Sequence, residues 1–283
     1  MFGTAFFAHS AEIVGKMAAV LGRMEDAWRY GRLFEGIRAA FQRAYVGRDG
    51  RIEGDTQAGY ALALHFGLLD EAMASRAVDH LVEAIGRYRS HVSTGMQATH
   101  RMMLELSRHG RHDEAWRLIN LHSVPSWGYM IEQGATTIWE RWDAYVEGQG
   151  PWGGFQHPDM NSFNHWAMGS VGEWVWRELA GIHPDENEPG YKHIVLRPRP
   201  CGDLRWVKAR YESIRGPIGV EWRIGDGRFT LDIEVPANTT ATVWVPAGQD
   251  NTVEAEGAAF IRKEGDFAVF AVGSGQYHFQ AGR

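Results

Sequence analysis

Cysteine is nearly absent from this chain, and its absence excludes two kinds of site. Cys201 is the single thiol among the 283 residues, so no disulfide can form within the chain. Structural zinc sites built on cysteine need more than one thiol, and His109 and His112 have no carboxylate at the spacing of a metal site. We therefore expect no metal and no cofactor.

A basic excess and a long apolar run are also lacking. The chain holds 29 Lys and Arg against 35 Asp and Glu, whereas proteins that bind nucleic acid usually carry a basic excess. No apolar run approaches the roughly 18 residues of a membrane span, and residues 1–5 show no signal-peptide pattern. The chain also lacks the Gly-x-Ser-x-Gly elbow of serine hydrolases and the glycine-rich loop of nucleotide-binding proteins. We expect no nucleic acid partner, no membrane partner and a cytoplasmic location.

Tryptophan, by contrast, is plentiful. The chain has 12 tryptophans against 9 tyrosines, and most of them lie between positions 116 and 176. Two carboxylates, Glu140 and Asp143, alternate there with Trp139 and Trp142. Aromatic rings stack on the C–H faces of sugars, carboxylates bind the hydroxyls, and glycoside hydrolysis uses a pair of carboxylates as acid and base. The segment 126–143 therefore predicts a carbohydrate site.

A structural explanation of the same residues stays open at this point. Tryptophan is often buried in the cores of helical proteins, and Glu140 could form an ion pair with Arg141 or Arg101. A histidine near the start of a helix, such as His165, either contacts a ligand or simply packs. The residues alone do not decide between the two explanations.

Apolar side chains at helical spacing predict about seven helices in roughly the first 180 residues. The predicted helices are two within 1–46, then 55–66, 70–88 with Asp70 as N-cap, 94–108, 111–121 and 161–180. A loop rich in glycine and proline, 144–160, precedes the last helix and carries Trp152, Phe155 and His157. Recurrent helical hairpins fit an α/α toroid and a solenoid equally well.

The composition changes after Ile182. Residues 183–190 form a polar linker with two prolines, and short runs typical of strands begin beyond it. The predicted strands are 194–196, 220–224, 229–235, 240–245, 267–272 and 276–279, with a hairpin turn at 225–227. Short strands at this spacing favour an antiparallel β-sandwich. We therefore expect a helical domain over 1–182 and a β-sandwich domain over 183–283.

Two longer motifs make a family resemblance recognisable. The stretch YMIEQGATTIWERW at 129–142, with SFNHWAMGSVGEW at 162–174, resembles bacterial α-L-rhamnosidases of glycoside hydrolase family 78. GDTQA at 54–58 and YKHIVLRP at 191–198 extend the resemblance, in collinear order, over essentially the whole chain. The resemblance implies an (α/α)6 toroid followed by a C-terminal β-sandwich. It also implies inverting hydrolysis of terminal α-L-rhamnosides.

The resemblance implies roles for individual residues as well. Glu140 of the WERW stretch corresponds to the general base that deprotonates the attacking water. His165 corresponds to the histidine that contacts the sugar in the −1 subsite. Trp139 and Trp142 are candidates for lining the sugar pocket, and Asp143 and Glu132 are candidates for support by hydrogen bonding.

The chain departs from the family pattern in one respect. The family's general acid and its sugar-binding motif rich in Asp and Arg lie in the first half of the toroid, and no matching segment precedes Phe2. We expect a partial toroid with one catalytic carboxylate and with exposed apolar flanks that promote self-association. Two functions stay open: a glycoside hydrolase fragment that acts on rhamnose-containing glycosides, and a non-catalytic carbohydrate-binding or scaffold module. A second carboxylate facing Glu140, with Asp55, Glu132 and Asp159 as candidates, would decide between them.

Overall fold

The computed structural model describes residues 1–146, 161–248 and 252–282, and the chain divides into two compact units. The first unit, Met1–Val171, is helical, and the second, Gly172–Arg283, holds the strands. Within the described ranges, no helix combines the length and the apolar character that crossing a membrane requires. The predicted loop residues Trp152, Phe155 and His157 and the candidate carboxylate Asp159 lie outside the described residues.

Six helices of the first unit follow the predicted order. They are α1 (Phe2–Val20), α2 (Met24–Tyr45), α3 (Gln57–His65), α4 (Glu71–Arg87), α5 (Thr99–Arg108) and α6 (His112–Ile119). α1 packs on α2, α3 packs on both α4 and α5, and α5 packs on α6. The predicted helical hairpin at the start and the four helices after it are therefore confirmed, and these four are shorter than the sequence pattern indicates.

The first hairpin buries small side chains and exposes large ones. The buried residues of α1 are Ala5, Ala8, Ala11, Gly15 and Ala18. A side chain at Gly15 would meet the main chain of α2, because its Cβ would lie 3.5 Å from Gly31 N. Val20 at the end of α1 is 86% exposed, and Trp28 on α2 is 65% exposed. The hairpin therefore carries the exposed apolar flank that the sequence predicts.

Side-chain caps begin several of the described helices. Thr56 Oγ1 accepts a hydrogen bond from Gly59 N at the start of α3, and Asp70 Oδ1 accepts one from Met73 N at the start of α4. The predicted N-cap at Asp70 is thus confirmed. Ser126 caps a further helix, α7 (Trp127–Glu132), which lies inside segment 126–143 and outside the predicted helices. This helix has only 6 residues, which is too short for a periodic pattern to reveal.

The predicted long helix over 161–180 is wrong. In its place are α8 (Trp166–Gly169), α9 (Gly172–Trp174) and a π-helical turn (Val175–Leu179). The residues before α8 are not helical, and their main chain is bonded to a distant segment. Ser162 O accepts a hydrogen bond from Glu140 N, and His165 N donates to Ile138 O, both at 2.9 Å. A helical period does not reveal such non-local partners.

Two five-stranded sheets form most of the second unit. The strands are β1 (Ile182–Pro184), β2 (His193–Leu196), β3 (Trp206–Ser213), β4 (Gly216–Gly225), β5 (Arg228–Val235), β6 (Thr240–Pro246), β7 (Val253–Ala255), β8 (Ala259–Glu264), β9 (Phe267–Val272) and β10 (Gly275–Gly282). One sheet has the order β1-β2-β6-β9-β8, and the other has the order β3-β4-β5-β10-β7. Among these strands β2 and β6 are parallel, whereas the other pairs are antiparallel.

The core of the second unit lies between the inner faces of the two sheets. Trp222 on β4 is fully buried there, and its indole N–H donates a hydrogen bond to Leu179 O at 2.8 Å. The predicted hairpin turn between β4 and β5 is confirmed, since Asp226 and Gly227 adopt φ values of 51° and 70°. The first strand, β1, uses His183 and Pro184, which the sequence analysis assigns to a linker.

A fully buried carboxylate, Glu105 on α5, is surrounded by basic side chains. Its oxygens lie 2.9 Å from His65 Nδ1, 3.0 Å from a nitrogen of Arg108 and 3.6 Å from His109 Nε2. Burial opposes ionisation of Glu105, but its interactions with His109 and His65 and the charge of Arg108 outweigh it and lower the pKa to about 2. Glu105 thereby joins the ends of α3 and α5.

Replacing Glu105 by Gln should lower the free energy of unfolding by about 1–3 kcal/mol at neutral pH, because charge-assisted hydrogen bonds are lost at a buried position. The folded-state pKa lies below that of an unfolded glutamate. The contribution of Glu105 is therefore present above a pH of about 4.3 and disappears as the pH falls towards about 2. Chemical denaturation across this pH window should give a steeper loss of stability for the parent than for the variant. Equal slopes would contradict the assignment.

Candidate active site

Glu140 and His165 lie on two segments that the main chain holds side by side. Residues 138–140 and 162–165 are joined by the bonds from Glu140 N to Ser162 O and from His165 N to Ile138 O. The carboxylate of Glu140 takes part as well, since its Oε2 accepts a hydrogen bond from Ser162 N at 2.9 Å. One oxygen of Glu140 is therefore fixed, and the other, Oε1, is left to face His165.

The hydrogen bonds of His165 determine which ring nitrogen carries the proton. His165 is the N-cap of α8, and its Nδ1 accepts a hydrogen bond from Ala167 N at 3.1 Å. A nitrogen that accepts from a main-chain N–H carries no proton, so the neutral ring carries its proton on Nε2. Nε2 lies 4.0 Å from Glu140 Oε1, and the side chains of His165 and Glu140 are 23% and 19% exposed. The structure thus brings these two predicted residues together.

The gap between the two side chains has a chemical consequence. At 4.0 Å, Glu140 Oε1 and His165 Nε2 are too far apart for a direct hydrogen bond. An acceptor and a donor are therefore both available to a third group, such as a water molecule or a sugar hydroxyl. A carboxylate in this setting can accept a proton from a bound water, and a neutral imidazole can donate to an oxygen.

Both candidate tryptophans pack against other parts of the first unit. Trp139 is buried in a small cluster with Met130 and Ala144, and its ring meets that of Phe163 edge to face. Trp142 donates its indole N–H to Thr94 O at 3.0 Å. These contacts give each tryptophan a structural role, and contact with a sugar stays a prediction for both.

The two candidate supporting carboxylates form ion pairs of their own. Arg141 donates to both oxygens of Asp143, and Glu132 lies 2.6 Å from His122 Nδ1. The guanidinium of Arg141, considered above as a partner of Glu140, is thus paired with Asp143. The support that Glu140 receives comes from the main-chain N–H of Ser162, which sequence reasoning missed. A main-chain donor leaves no signal in the sequence.

Asp55, a candidate second carboxylate, does not suit the role of a proton donor. Tyr60 Oη donates to it at 2.6 Å, and Arg51 and Arg87 lie 2.6 and 2.9 Å from its other oxygen. The hydrogen bond from Tyr60, together with the two arginines, lowers the pKa of Asp55 despite the opposing effect of burial. Because its pKa is lowered, Asp55 stays ionised at neutral pH, whereas a general acid needs a raised pKa to hold its proton.

The side chains of the described ranges offer no obvious metal centre. In residues 1–146, 161–248 and 252–282, no three His, Cys, Asp or Glu side chains converge in a group able to hold a metal ion.

Comparisons with known proteins place the chain among rhamnosidases. Residues 1–179 match the family model of the bacterial alpha-L-rhamnosidase six-hairpin glycosidase domain, and residues 181–260 match the bacterial alpha-L-rhamnosidase C-terminal domain. An α-L-rhamnosidase of Streptomyces avermitilis is 46% identical over 99% of this chain and 26% of its own length. One of Formosa agariphila is 35% identical over 99% of this chain and 31% of its own length.

Solved structures agree with this assignment. The crystal structure of the Streptomyces avermitilis α-L-rhamnosidase complexed with L-rhamnose matches 98% of this chain, and 26% of its own, with a TM-score of 0.91 and 45% identity. The α-L-rhamnosidase from Dictyoglumus thermophilum matches 99% of this chain, and 31% of its own, with a TM-score of 0.87 and 30% identity. This chain thus spans about a quarter to a third of the length of its relatives. The expected fold class is confirmed, and the chain belongs to the bacterial α-L-rhamnosidase family.

Proposed function

We propose that this chain is part of a glycoside hydrolase that cleaves terminal α-L-rhamnosides with inversion, and that Glu140 is its general base. The observation that carries the proposal is the geometry of Glu140: Oε2 is held by Ser162 N, while Oε1 lies 4.0 Å from the donor atom Nε2 of His165. The similarity to a rhamnosidase whose structure contains L-rhamnose supports the choice of sugar.

Glu140 Oε1 takes a proton from a water molecule as the water oxygen attacks the anomeric carbon. The bond from that carbon to the leaving oxygen breaks on the opposite face of the sugar, and a second carboxylic acid protonates the leaving oxygen. The bond of Oε2 to Ser162 N keeps the carboxylate from rotating, so Oε1 stays directed at the water. Attack and departure on opposite faces invert the anomeric configuration.

His165 binds the sugar in this proposal. Its Nε2–H donates a hydrogen bond to a hydroxyl of the rhamnosyl ring, while the bond from Ala167 N to Nδ1 keeps the proton on Nε2. A donor is useful at this position because the neighbouring carboxylate repels oxygen lone pairs. His165 therefore orients the rhamnosyl ring and does not transfer a proton.

The general acid comes from polypeptide outside these 283 residues in our proposal. Inverting glycosidases place their two carboxyl groups about 6.5–9.5 Å apart. Two of the candidates considered for this role are engaged elsewhere, since Asp55 is paired with arginines and Glu132 with His122. The relatives are three to four times as long as this chain, which leaves ample sequence for a second carboxylate.

The pairing of Asp55 also favours a second candidate function for the chain on its own. If the chain on its own supplies no proton donor, the pair of Glu140 and His165 binds a sugar and does not cleave it. The alternative is thus a non-catalytic carbohydrate-binding or scaffold module. Isothermal titration with L-rhamnose and an activity assay separate the two functions when both are applied to a longer polypeptide that contains this chain. Binding of L-rhamnose without any product in that polypeptide supports the module.

The anomer of the first product tests the proposed reaction. A chimera in which these 283 residues replace the matching quarter of the Streptomyces avermitilis relative supplies a polypeptide of full length. With 4-nitrophenyl α-L-rhamnoside as substrate, proton NMR at early times should show β-L-rhamnose first, with the α-anomer rising only by mutarotation. Early appearance of the α-anomer would contradict inversion, and the absence of rhamnose would contradict hydrolysis.

A further inference from the structure

Trp142 connects the segment that carries Glu140 to two other parts of the first unit. It lies two positions after Glu140 in the sequence. Its indole N–H donates to Thr94 O at 3.0 Å, and its ring meets that of Trp127 edge to face, with centroids 5.0 Å apart. The one hydrogen-bond donor of the Trp142 side chain is thus used inside the protein.

The acceptor of this hydrogen bond belongs to a firmly held segment. Thr94 is buried, and its Oγ1 lies 2.9 Å from Thr99 Oγ1 at the start of α5. The residues before Thr94 are held by Gln57, whose buried amide donates to His91 O at 2.9 Å and accepts from Ser93 N at 2.7 Å. The position of Thr94 O, which accepts the hydrogen bond from Trp142, is therefore held by the surrounding structure.

The other contact of Trp142 leads to the helix that begins at His165. Trp127 is buried, and its indole N–H donates to Met168 O at 3.1 Å. Met168 lies on α8, whose N-cap is His165. Trp142 and Trp127 together therefore link the segment of Glu140 to the helix of His165, in addition to the main-chain bonds between 138–140 and 162–165.

We propose that Trp142 is a positioning residue that sets the 4.0 Å separation of Glu140 Oε1 and His165 Nε2 through these internal contacts. The proposal rests on the proposed function, in which both atoms act on one sugar. The main-chain bonds hold the two segments side by side, and the side chain of Trp142 adds contacts to other parts of the unit. A bulky ring bonded to Thr94 and packed against Trp127 restricts displacement of the segment of Glu140, and sites of this kind tolerate displacements of only about 0.5 Å.

The substitution Trp142→Phe tests the proposal, because it keeps an aromatic ring near Trp127 and removes the indole N–H. Trp244→Phe is the matched control, since the Trp244 indole nitrogen is buried with no hydrogen-bond partner in the described part of the chain. In the chimera we expect Trp142→Phe to lower kcat by about 10- to 100-fold and to leave KM within about threefold of the parent. The control should change neither constant.

A spectroscopic measurement on the chain itself accompanies the kinetics. Imidazole 15N NMR of the parent should show His165 with its proton on Nε2, and Trp142→Phe should shift the Nε2 resonance whereas Trp244→Phe should not. Trp127→Phe, which releases Met168 instead of Thr94, should shift it too. This second variant keeps the test decisive if Trp142→Phe does not fold.

Distinct outcomes overturn the inference and the proposed function. A raised KM with unchanged kcat would mean that Trp142 contacts the sugar, and unchanged kinetics together with an unchanged His165 spectrum would mean that it positions nothing. Either result overturns the inference about Trp142. The proposed function is kept in both cases, provided that Glu140→Gln abolishes turnover of the chimera. If Glu140→Gln instead retains parental turnover, the proposed function fails, and the His165 spectra of the Trp142 and Trp127 variants still decide whether Trp142 sets that geometry.

Discussion

Replacing Glu140 by Gln should reduce turnover of the chimera by about 10²- to 10⁴-fold, because an amide cannot accept the proton of the attacking water. The substitution is nearly isosteric. The amide oxygen of Gln can still accept the hydrogen bond from Ser162 N that holds the parent carboxylate, so the fold and the binding of sugar should be kept. The loss is therefore expected in kcat and not in the affinity for sugar.

The assay on 4-nitrophenyl α-L-rhamnoside gives kcat, and isothermal titration with L-rhamnose gives the affinity of the same variant. Glu114→Gln is the matched control, since Glu114 pairs with Arg117 on α6. We expect this control to keep the turnover of the parent. Near-parental turnover of Glu140→Gln would remove Glu140 from the role of general base.

The helices and the central strands could be predicted from the sequence because their patterns are local. A short polar side chain, Asp70, precedes apolar residues at helical spacing and so predicts the start of α4. In the structure Asp70 Oδ1 accepts the capping hydrogen bond from Met73 N. The strand β8, which the sequence analysis missed, lacks such a pattern. All six of its residues, Ala259–Glu264, are exposed. Without a buried face, a strand shows no alternation of apolar and polar residues.

The proximity of Glu140 and His165 could be predicted from the sequence, but the groups that hold them could not. Glu140 and His165 were recognised because motif and chemistry are carried by residue type. The groups that hold them are the main-chain N–H of Ser162 and of Ala167, which every residue except proline possesses. The same non-local pairing explains why the helix predicted over 161–180 is broken, since residues 162 and 165 bond to 138 and 140. Tertiary contacts here outweigh helical propensity.

We expect the 283-residue chain on its own to self-associate, because its first hairpin exposes several large apolar side chains. Val20 is 86% exposed, and the exposed neighbours on the hairpin include Leu21, Met24 and Trp28. Light scattering coupled to gel filtration should report a mass above the 31.8 kDa of one chain. Trp28→Glu should shift the equilibrium towards monomer, whereas Ala40→Glu, at an exposed position of α2, should not.

The same isolated chain should hydrolyse 4-nitrophenyl α-L-rhamnoside at least about 10²-fold more slowly than the chimera, because the leaving oxygen departs without a proton donor. Self-association does not remedy this, since the proposed acid lies outside this chain and a second copy brings only another Glu140. Glu140→Gln in the isolated chain should therefore cost much less activity than the same change in the chimera. A stable monomer that releases 4-nitrophenol as fast as the chimera would mean that residues within this chain supply the acid, and the division of the two carboxylates proposed above would be wrong.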